Sequence, residues 1–292
     1  MHYLSLILIG ALFGSSAMMF KILSAEFSIF FTVFLRFSVG GAILCLFCLA
    51  TKNPILPLKH IKKLAFIGVV NFLIPISLFC AAGRMIDSSL VSILNGMFPV
   101  FTIIFAHYIL KDRMTIAGVI GVFLSMLGVC ILNLKDGMTF DSNQILAALM
   151  ILLATICYAT VTIFTRLKCK DVPPFTNATG GIVISAILLS PSIFFEPNLQ
   201  ALYNWKILLT VAYFGTCCTA VAYAILFHLI KVRGATFASN GSFLIPIFGT
   251  IYGIMFMQEQ MTTNRIAGGI LIIIGMALVL KLHTKLLKNE YK

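Results

Sequence analysis

Long uncharged apolar runs, broken at near-regular intervals by short clusters of Lys, Arg, Asp, Asn, Gly and Pro, set the pattern of this chain. Taking the breaks as loops leaves ten apolar segments, at 3–20, 28–50, 63–83, 89–110, 115–134, 144–165, 175–195, 206–230, 235–257 and 265–282. Sustained two-residue alternation, the mark of a membrane barrel strand, is absent. Continuous blocks such as 266–280 dominate instead, and a helix of about twenty apolar residues crosses about 30 Å of hydrocarbon. The pattern therefore predicts an all-α integral membrane protein of ten transmembrane helices. The break at 84–88 rests on Arg84 and Asp87, which separate two apolar runs. No basic residue precedes the first segment, which reads as a retained helix rather than a signal peptide.

Composition agrees and excludes other classes. Of 292 residues, 60% are hydrophobic and 10% charged, against about 45–50% and about 25% in soluble domains. Such a shortage of charge excludes a soluble globular enzyme, a disordered chain and a secreted disulfide scaffold. The placement of the 21 Lys and Arg then gives an orientation. With a cytoplasmic N-terminus, fifteen fall in inner loops and the tail, and five (Lys21, Arg84, Lys135, Lys206, Arg265) fall one to each outer loop. Arg36 alone lies inside a helix. This positive-inside bias puts both termini in the cytoplasm. The net charge of +12 is then explained by topology and anionic inner-leaflet lipids, with no nucleic-acid partner. Seven of the eight cysteines lie in the apolar segments, and the Cys45/Cys48 pair has no further cysteine or histidine cluster beside it. No metal and no cofactor is expected.

A shift of 147 residues lays the fourth and fifth segments on the ninth and tenth. Ser92 meets Ser239, Pro99 meets Pro246, Phe101 meets Phe248, Met114-Thr115 meets Met261-Thr262, Gly121 meets Gly268 and Gly128 meets Gly275. Asp112 meets Glu259. Paired Pro, Gly and acidic positions do not arise from apolar composition alone, so two repeats are expected, 1–135 and 144–282, with a cytoplasmic tail at 283–292. Five spans is an odd number, so the second copy enters the membrane from the opposite side. Inverted repeats of this kind recur in secondary transporters.

At these positions the sequence resembles a known family. Leu12-Phe13-Gly14-Ser15, Leu35-Arg36-Phe37, Pro99 followed by Lys111-Asp112-Arg113-Met114-Thr115, and Gly121 with Gly128 are similar to the EamA repeat of the drug/metabolite transporter superfamily. The second half shows the same ending in Pro246, Gln258-Glu259-Gln260-Met261-Thr262 and Gly268 with Gly275. Two positions depart from the pattern: Phe13 stands where the family often has Trp, and Asp112 where it usually has Glu. The resemblance implies a ten-helix permease of the bacterial inner membrane that moves small metabolites, often exporting amino acids or related compounds.

Polar side chains in hydrocarbon mark the pathway, because they are tolerated mainly toward the protein interior or a wet cavity. Ser88, Ser92, Asn95, Pro99 and Thr102 are spaced to share one helical face, and the shift carries it onto Ala235, Ser239, Ser242, Pro246 and Gly249. The two faces are expected to meet at mid-depth and form a substrate site, with close helix packing as the alternative reading. Asn71, Tyr158 and Tyr223 join the candidates from flanking helices. Tyr158 occupies a position like that of Phe13. Arg36 has no acidic residue at depth to pair with, which leaves carbonyls, hydroxyls, water or substrate as partners and a gating, structural or carboxylate-binding role. No Asp or Glu falls mid-span, which argues against a proton-coupled exporter of lipophilic cations. The expected function is a permease for a small neutral, zwitterionic or anionic metabolite, in the first instance an amino acid or derivative. The alternatives are a proton-coupled drug exporter and a membrane-embedded enzyme; for the latter no nucleophile–base pair, metal cluster or phosphate loop is seen in the sequence. Gly118, Gly121, Gly128, Gly268, Gly269 and Gly275 suit close helix packing either within one chain or across a homodimer.

Overall fold

Backbone N–H and C=O groups inside a bilayer must pair within their own segment, so apolar runs of this length fold as helices. The computed structural model describes residues 2–111, 116–132, 142–233 and 240–290; among these there is no strand. The helices are α1 (His2–Glu26), α2 (Ile29–Ala50), α3 (Leu58–Gly83), α4 (Ser88–Leu110), α5 (Ile116–Leu132), α6 (Ser142–Lys168) and α7 (Pro174–Phe195). There follow α8 (Trp205–Gly215, continued by Thr216–Val221 and Ala222–Arg233), α9 (Leu244–Met257) and α10 (Thr263–Glu290). Seven of them, α1–α4 and α6–α8, are long and apolar enough to cross a membrane; α5, α9 and the apolar part of α10 (Thr263–Leu278) are shorter. The protein is an integral membrane protein. The break at 84–88 is a true helix boundary, since α3 stops at Gly83 and Asp87 is the residue before α4.

Regular helix gives way at three places that position the interior. In α3, residues Gly68–Leu73 form a π turn, and in α8, Thr216–Val221 form another. The two sit at corresponding points of the two halves. A π turn widens the hydrogen-bond ring by one residue and aims its neighbours differently from an α-helix. The third place is in α4, which breaks between Ser88–Asn95 and Phe98–Leu110. There Gly96 and Met97 donate to Ile93 and Leu94 in tight three-residue turns, and Pro99 occupies the first turn of the second piece, where its missing N–H has no helical partner to lose.

The packing pairs each helix of the first half with one or more of the second. α5 lies along α10, α2 along α7, and the first part of α4 along α9. α1 packs on α9 and α8, while α6 packs on α4 and α3. The α5–α10 contact depends on small residues. A side chain at Gly128 would meet the Gly268 carbonyl at 2.7 Å, and one at Gly275 would meet the Gly121 carbonyl at 2.5 Å. These four glycines are therefore used inside the chain, where they let two backbones approach, rather than on a face left for a second protomer. The largest core cluster, with Phe27, Phe31, Phe37, Phe72 and Phe214 among its fully buried members, draws on α1–α4, α6–α8 and α10.

Candidate binding cavity

A cavity of about 290 Å³ opens between the two halves, at the bottom of the about 300–1,000 Å³ range of small-molecule sites. α1 contributes Ile9, Phe13, Ser16, Ala17 and Phe20; α2 contributes Arg36; α3 contributes Asn71, Ile76 and Phe79. The rest of the wall is Val91, Ser92, Asn95 and Phe98 of α4, Tyr158 and Thr162 of α6, Tyr223 and Leu226 of α8, Ser242 in the turn Asn240–Phe243 that precedes α9, and Ile245 of α9. Six aromatic rings thus share the space with two carboxamides and several hydroxyls.

The rings are held by one another. Phe13 meets Tyr223 edge to face at 5.4 Å, and Phe72 buttresses Tyr223 from behind at 5.7 Å. Tyr158 stacks on Phe79 at 5.9 Å and meets Phe98 at 6.0 Å. Pairs in this geometry add attraction beyond burial and fix ring orientation.

Arg36 carries the one formal charge among the wall residues, and it is 4% exposed. Its Nε donates to Thr219 Oγ1 at 3.0 Å and its Nη2 to the Cys218 carbonyl at 3.2 Å. Both acceptors belong to the π turn of α8, where the i→i+5 pattern frees a carbonyl and lets Thr219 donate back to the Phe214 carbonyl at 3.2 Å. The guanidinium carbon lies 5.2 and 4.4 Å from the ring centroids of Phe20 and Phe214, which themselves meet edge to face at 4.9 Å. Nη1 has no hydrogen-bond partner among the described residues.

Of the positions singled out from sequence, Asn71, Ser92, Asn95, Tyr158, Tyr223, Ser242 and Arg36 are brought together in this wall. Pro99 and Pro246 are not. Both are buried at the starts of helical pieces, and Pro246 packs over Gly96, whose added side chain would meet its Cγ at 3.3 Å. The single polar face expected along α4 does not form, because the break at Gly96–Met97 changes the helical register. Ser88 instead binds Glu259 at one end, and Thr102 donates to its own Phe98 carbonyl at 2.9 Å. Ser239 lies outside the described residues, as does Asp112. α4 and α9 do meet beside the cavity: a methyl at Gly249 would overlap the Ser92 side chain.

Sequence reasoning missed the groups that tie one end of the cavity. Lys21 lies one turn beyond Ala17 on α1, and Asp87 one turn before Val91 on α4. Lys21 Nζ bonds Asp87 Oδ1 and Glu259 Oε1, each at 3.1 Å, while Arg265 Nη1 bonds Asp87 Oδ2 at 2.6 Å. Glu259 also accepts from the Ser88 N–H at 2.7 Å, the Ser88 hydroxyl at 2.8 Å and the Ser89 N–H at 2.9 Å. A residue from the α9–α10 loop thus caps the first turn of α4, where Asp87 makes no side-chain cap bond of its own. Burial pushes the Glu259 carboxyl up, but the hydrogen bonds from Ser89 and Ser88 outweigh it and hold the group below its ordinary value. At the same end Arg84 Nε donates to the Ser24 carbonyl at 2.9 Å and Nη2 to the Phe27 carbonyl, while Ser28 donates to Glu196 through its N–H at 2.9 Å and its hydroxyl at 2.6 Å. The pairing of Asp112 with Glu259 under the internal repeat was the one available signal, and it gave no hint of what Glu259 binds.

Among the described residues no group of three or more His, Cys, Asp or Glu is placed to hold a metal ion. The sequence model of the EamA-like transporter family matches residues 1–134 and 145–281. The chain is 21% identical over 243 residues to the uncharacterized transporter YoaV of Bacillus subtilis (strain 168), covering 82% of this chain and 83% of that one. It is 26% identical over 246 residues to an uncharacterized transporter of Buchnera aphidicola subsp. Schizaphis graminum (strain Sg), covering 82% and 81%. A WAT1-related protein of Arabidopsis thaliana is 21% identical over 256 residues, covering 78% and 67%. One crystal structure superposes with a TM-score of 0.64 over 95% of this chain and 98% of the other at 17% identity, a likeness of fold alone.

Proposed function

The chain belongs to the EamA-like transporter family, and from that premise we propose a secondary transporter that moves a small neutral, zwitterionic or anionic metabolite by alternating access. An amino acid or derivative is the first candidate, and the bacterial inner membrane the proposed location. Ten spans in two inverted five-helix repeats, with both termini cytoplasmic, complete the reading. The observation that carries it is the cavity of about 290 Å³ between the two halves, with a cluster of ion pairs one helical turn beyond its wall.

Two further observations support the inversion. Exchanging α1–α5 with α6–α10 preserves the main contacts between the halves: α2–α7, α4–α9 and α5–α10 are self-paired, and α1 on α8 and α9 corresponds to α6 on α3 and α4. The π turns of α3 and α8 exchange as well. Near-equal halves give two states of similar energy, open to opposite sides. In the proposed orientation the Lys21–Asp87–Glu259–Arg265 cluster lies on the outer face, so the described conformer is closed outward. The outer-loop cations Lys21, Arg84 and Arg265 all bond within the protein, and Lys206 lies 5.9 Å from the centroid of the Trp205 ring.

The test is uptake by proteoliposomes containing the pure protein, across labelled amino acids, their derivatives and nucleotides. At least one compound is expected to enter saturably. A panel in which none enters faster than into protein-free vesicles overturns the proposal.

A further inference from the structure

We infer that the cavity takes substrates bearing a carboxylate, and that Arg36 is the group that binds it; the inference rests on the transporter reading and narrows its substrate class. A purely structural arginine at this depth would be expected to spend its donors on protein acceptors. Arg36 spends Nε on Thr219 and Nη2 on Cys218, and the Phe20 and Phe214 rings lie beside its guanidinium carbon. The remaining nitrogen, Nη1, is buried and without a hydrogen-bond partner among the described residues, although Arg36 forms part of the cavity wall. An orphaned charged donor in a low-dielectric interior is costly, and the cost falls when an anion supplies the missing acceptor.

The charge count points the same way. No other wall residue carries a formal charge, so no acidic side chain of the wall offsets that of Arg36. One carboxylate neutralises it through a charge-assisted hydrogen bond. A phosphate dianion would leave an excess negative charge with no second cation to meet it. A cationic solute would meet repulsion and no acidic partner. The rest of the wall fits the remainder of such a molecule: Phe13, Phe79 and Tyr158 offer apolar faces, and Asn71 and Asn95 offer donors and acceptors for a second polar group. An ammonium group is compatible through the ring faces but is not required.

The test compares matched acids and amides on the full-length protein in detergent, read as ligand-dependent thermal stabilisation. The probes are 3-phenylpropionate, 4-methylpentanoate and L-phenylalanine, each against its primary amide, with phenyl phosphate as the dianion. At least one acid is expected to stabilise the protein with a half-saturating concentration about tenfold or more below that of its amide. Arg36→Lys should retain the acid preference in weakened form, and Arg36→Gln should abolish it. The wild-type comparison stands even if Arg36→Gln does not fold. Equal effects of acid and amide, no effect of any acid, a preference that survives in Arg36→Gln, or stabilisation by phenyl phosphate equal to that by the acids overturns the inference. Proteoliposome uptake separates the two levels. Saturable entry of a neutral solute without acid preference leaves the transporter standing and removes the carboxylate; no entry of any solute removes both.

Discussion

Replacing Glu259 by Gln keeps the shape of the side chain and removes its charge, at a position where the structure gives a definite expectation. The carboxylate is 2% exposed and accepts from four donors: two backbone N–H groups of α4, the Ser88 hydroxyl and Lys21. An amide retains one acceptor oxygen and turns an N–H₂ toward the remaining donors. The helix start then loses a cap, worth about 1 kcal/mol, and a favourable charge, worth about 0.3–1 kcal/mol. One buried donor is left without an acceptor, at about 1–3 kcal/mol. Lys21 is 30% exposed and keeps Asp87, so the full cost of an abandoned buried ion pair does not apply. The expected loss is about 2–5 kcal/mol, read as a fall in the unfolding temperature of the purified protein in a fixed detergent. Asp87→Asn should cost less, because that side chain is 30% exposed. A Glu259→Gln protein that unfolds within about 0.5 kcal/mol of the parent would refute the trans-capping argument, since surface changes stay within that range.

The same carboxyl sets a pH dependence: its folded value lies below the ordinary 4.5, so its contribution is complete above the ordinary range and fades as pH falls below it; unfolding temperatures measured from pH 7 downward should show this loss in the parent and not in Glu259→Gln. Gly249→Val forces a side chain into Ser92 at the α4–α9 crossing, and should cost about 1–3 kcal/mol in thermal unfolding, with Gly249→Ala costing less. Asn95→Leu and Ser242→Leu should each lower saturable uptake about tenfold or more while the protein still inserts and unfolds cooperatively; full activity in both would return these faces to helix packing. Lys63→Ala removes an exposed pair with Asp171, and should change stability by less than about 1 kcal/mol.

Much of the architecture was legible because a bilayer imposes one rule on every residue. Apolar runs of about twenty had to be helices, and the isolated Arg84 and Asp87 were enough to locate the turn between α3 and α4. The absence of an acidic residue at depth left carbonyls, hydroxyls, water or substrate as partners for Arg36, and the structure gives it the Thr219 hydroxyl and the Cys218 carbonyl. What stayed hidden depends on backbone geometry or on distance along the chain. Neither Gly68–Leu73 nor Thr216–Val221 has a composition that separates a π turn from an α-helix, yet the second turn is what accepts the arginine. The face from Ser88 to Thr102 was drawn on an unbroken helix, and the tight turns at Gly96 and Met97 move Pro99 off the cavity wall. Glu259 reaches Ser88 across 171 positions of sequence, a relation that no local pattern contains.

Alternating access is tested most directly by asking whether one position in the cavity can be reached from both sides of the membrane. Asn95→Cys, in a background cleared of reactive native cysteines and reconstituted in sealed vesicles, is treated with an impermeant maleimide added outside in one sample and trapped inside in another. A carrier that exchanges between its two states is labelled from either face, more slowly from the face closed by the Lys21–Asp87–Glu259–Arg265 cluster, and Glu259→Gln raises that slower rate. Labelling from one face only, however long the exposure, would contradict it.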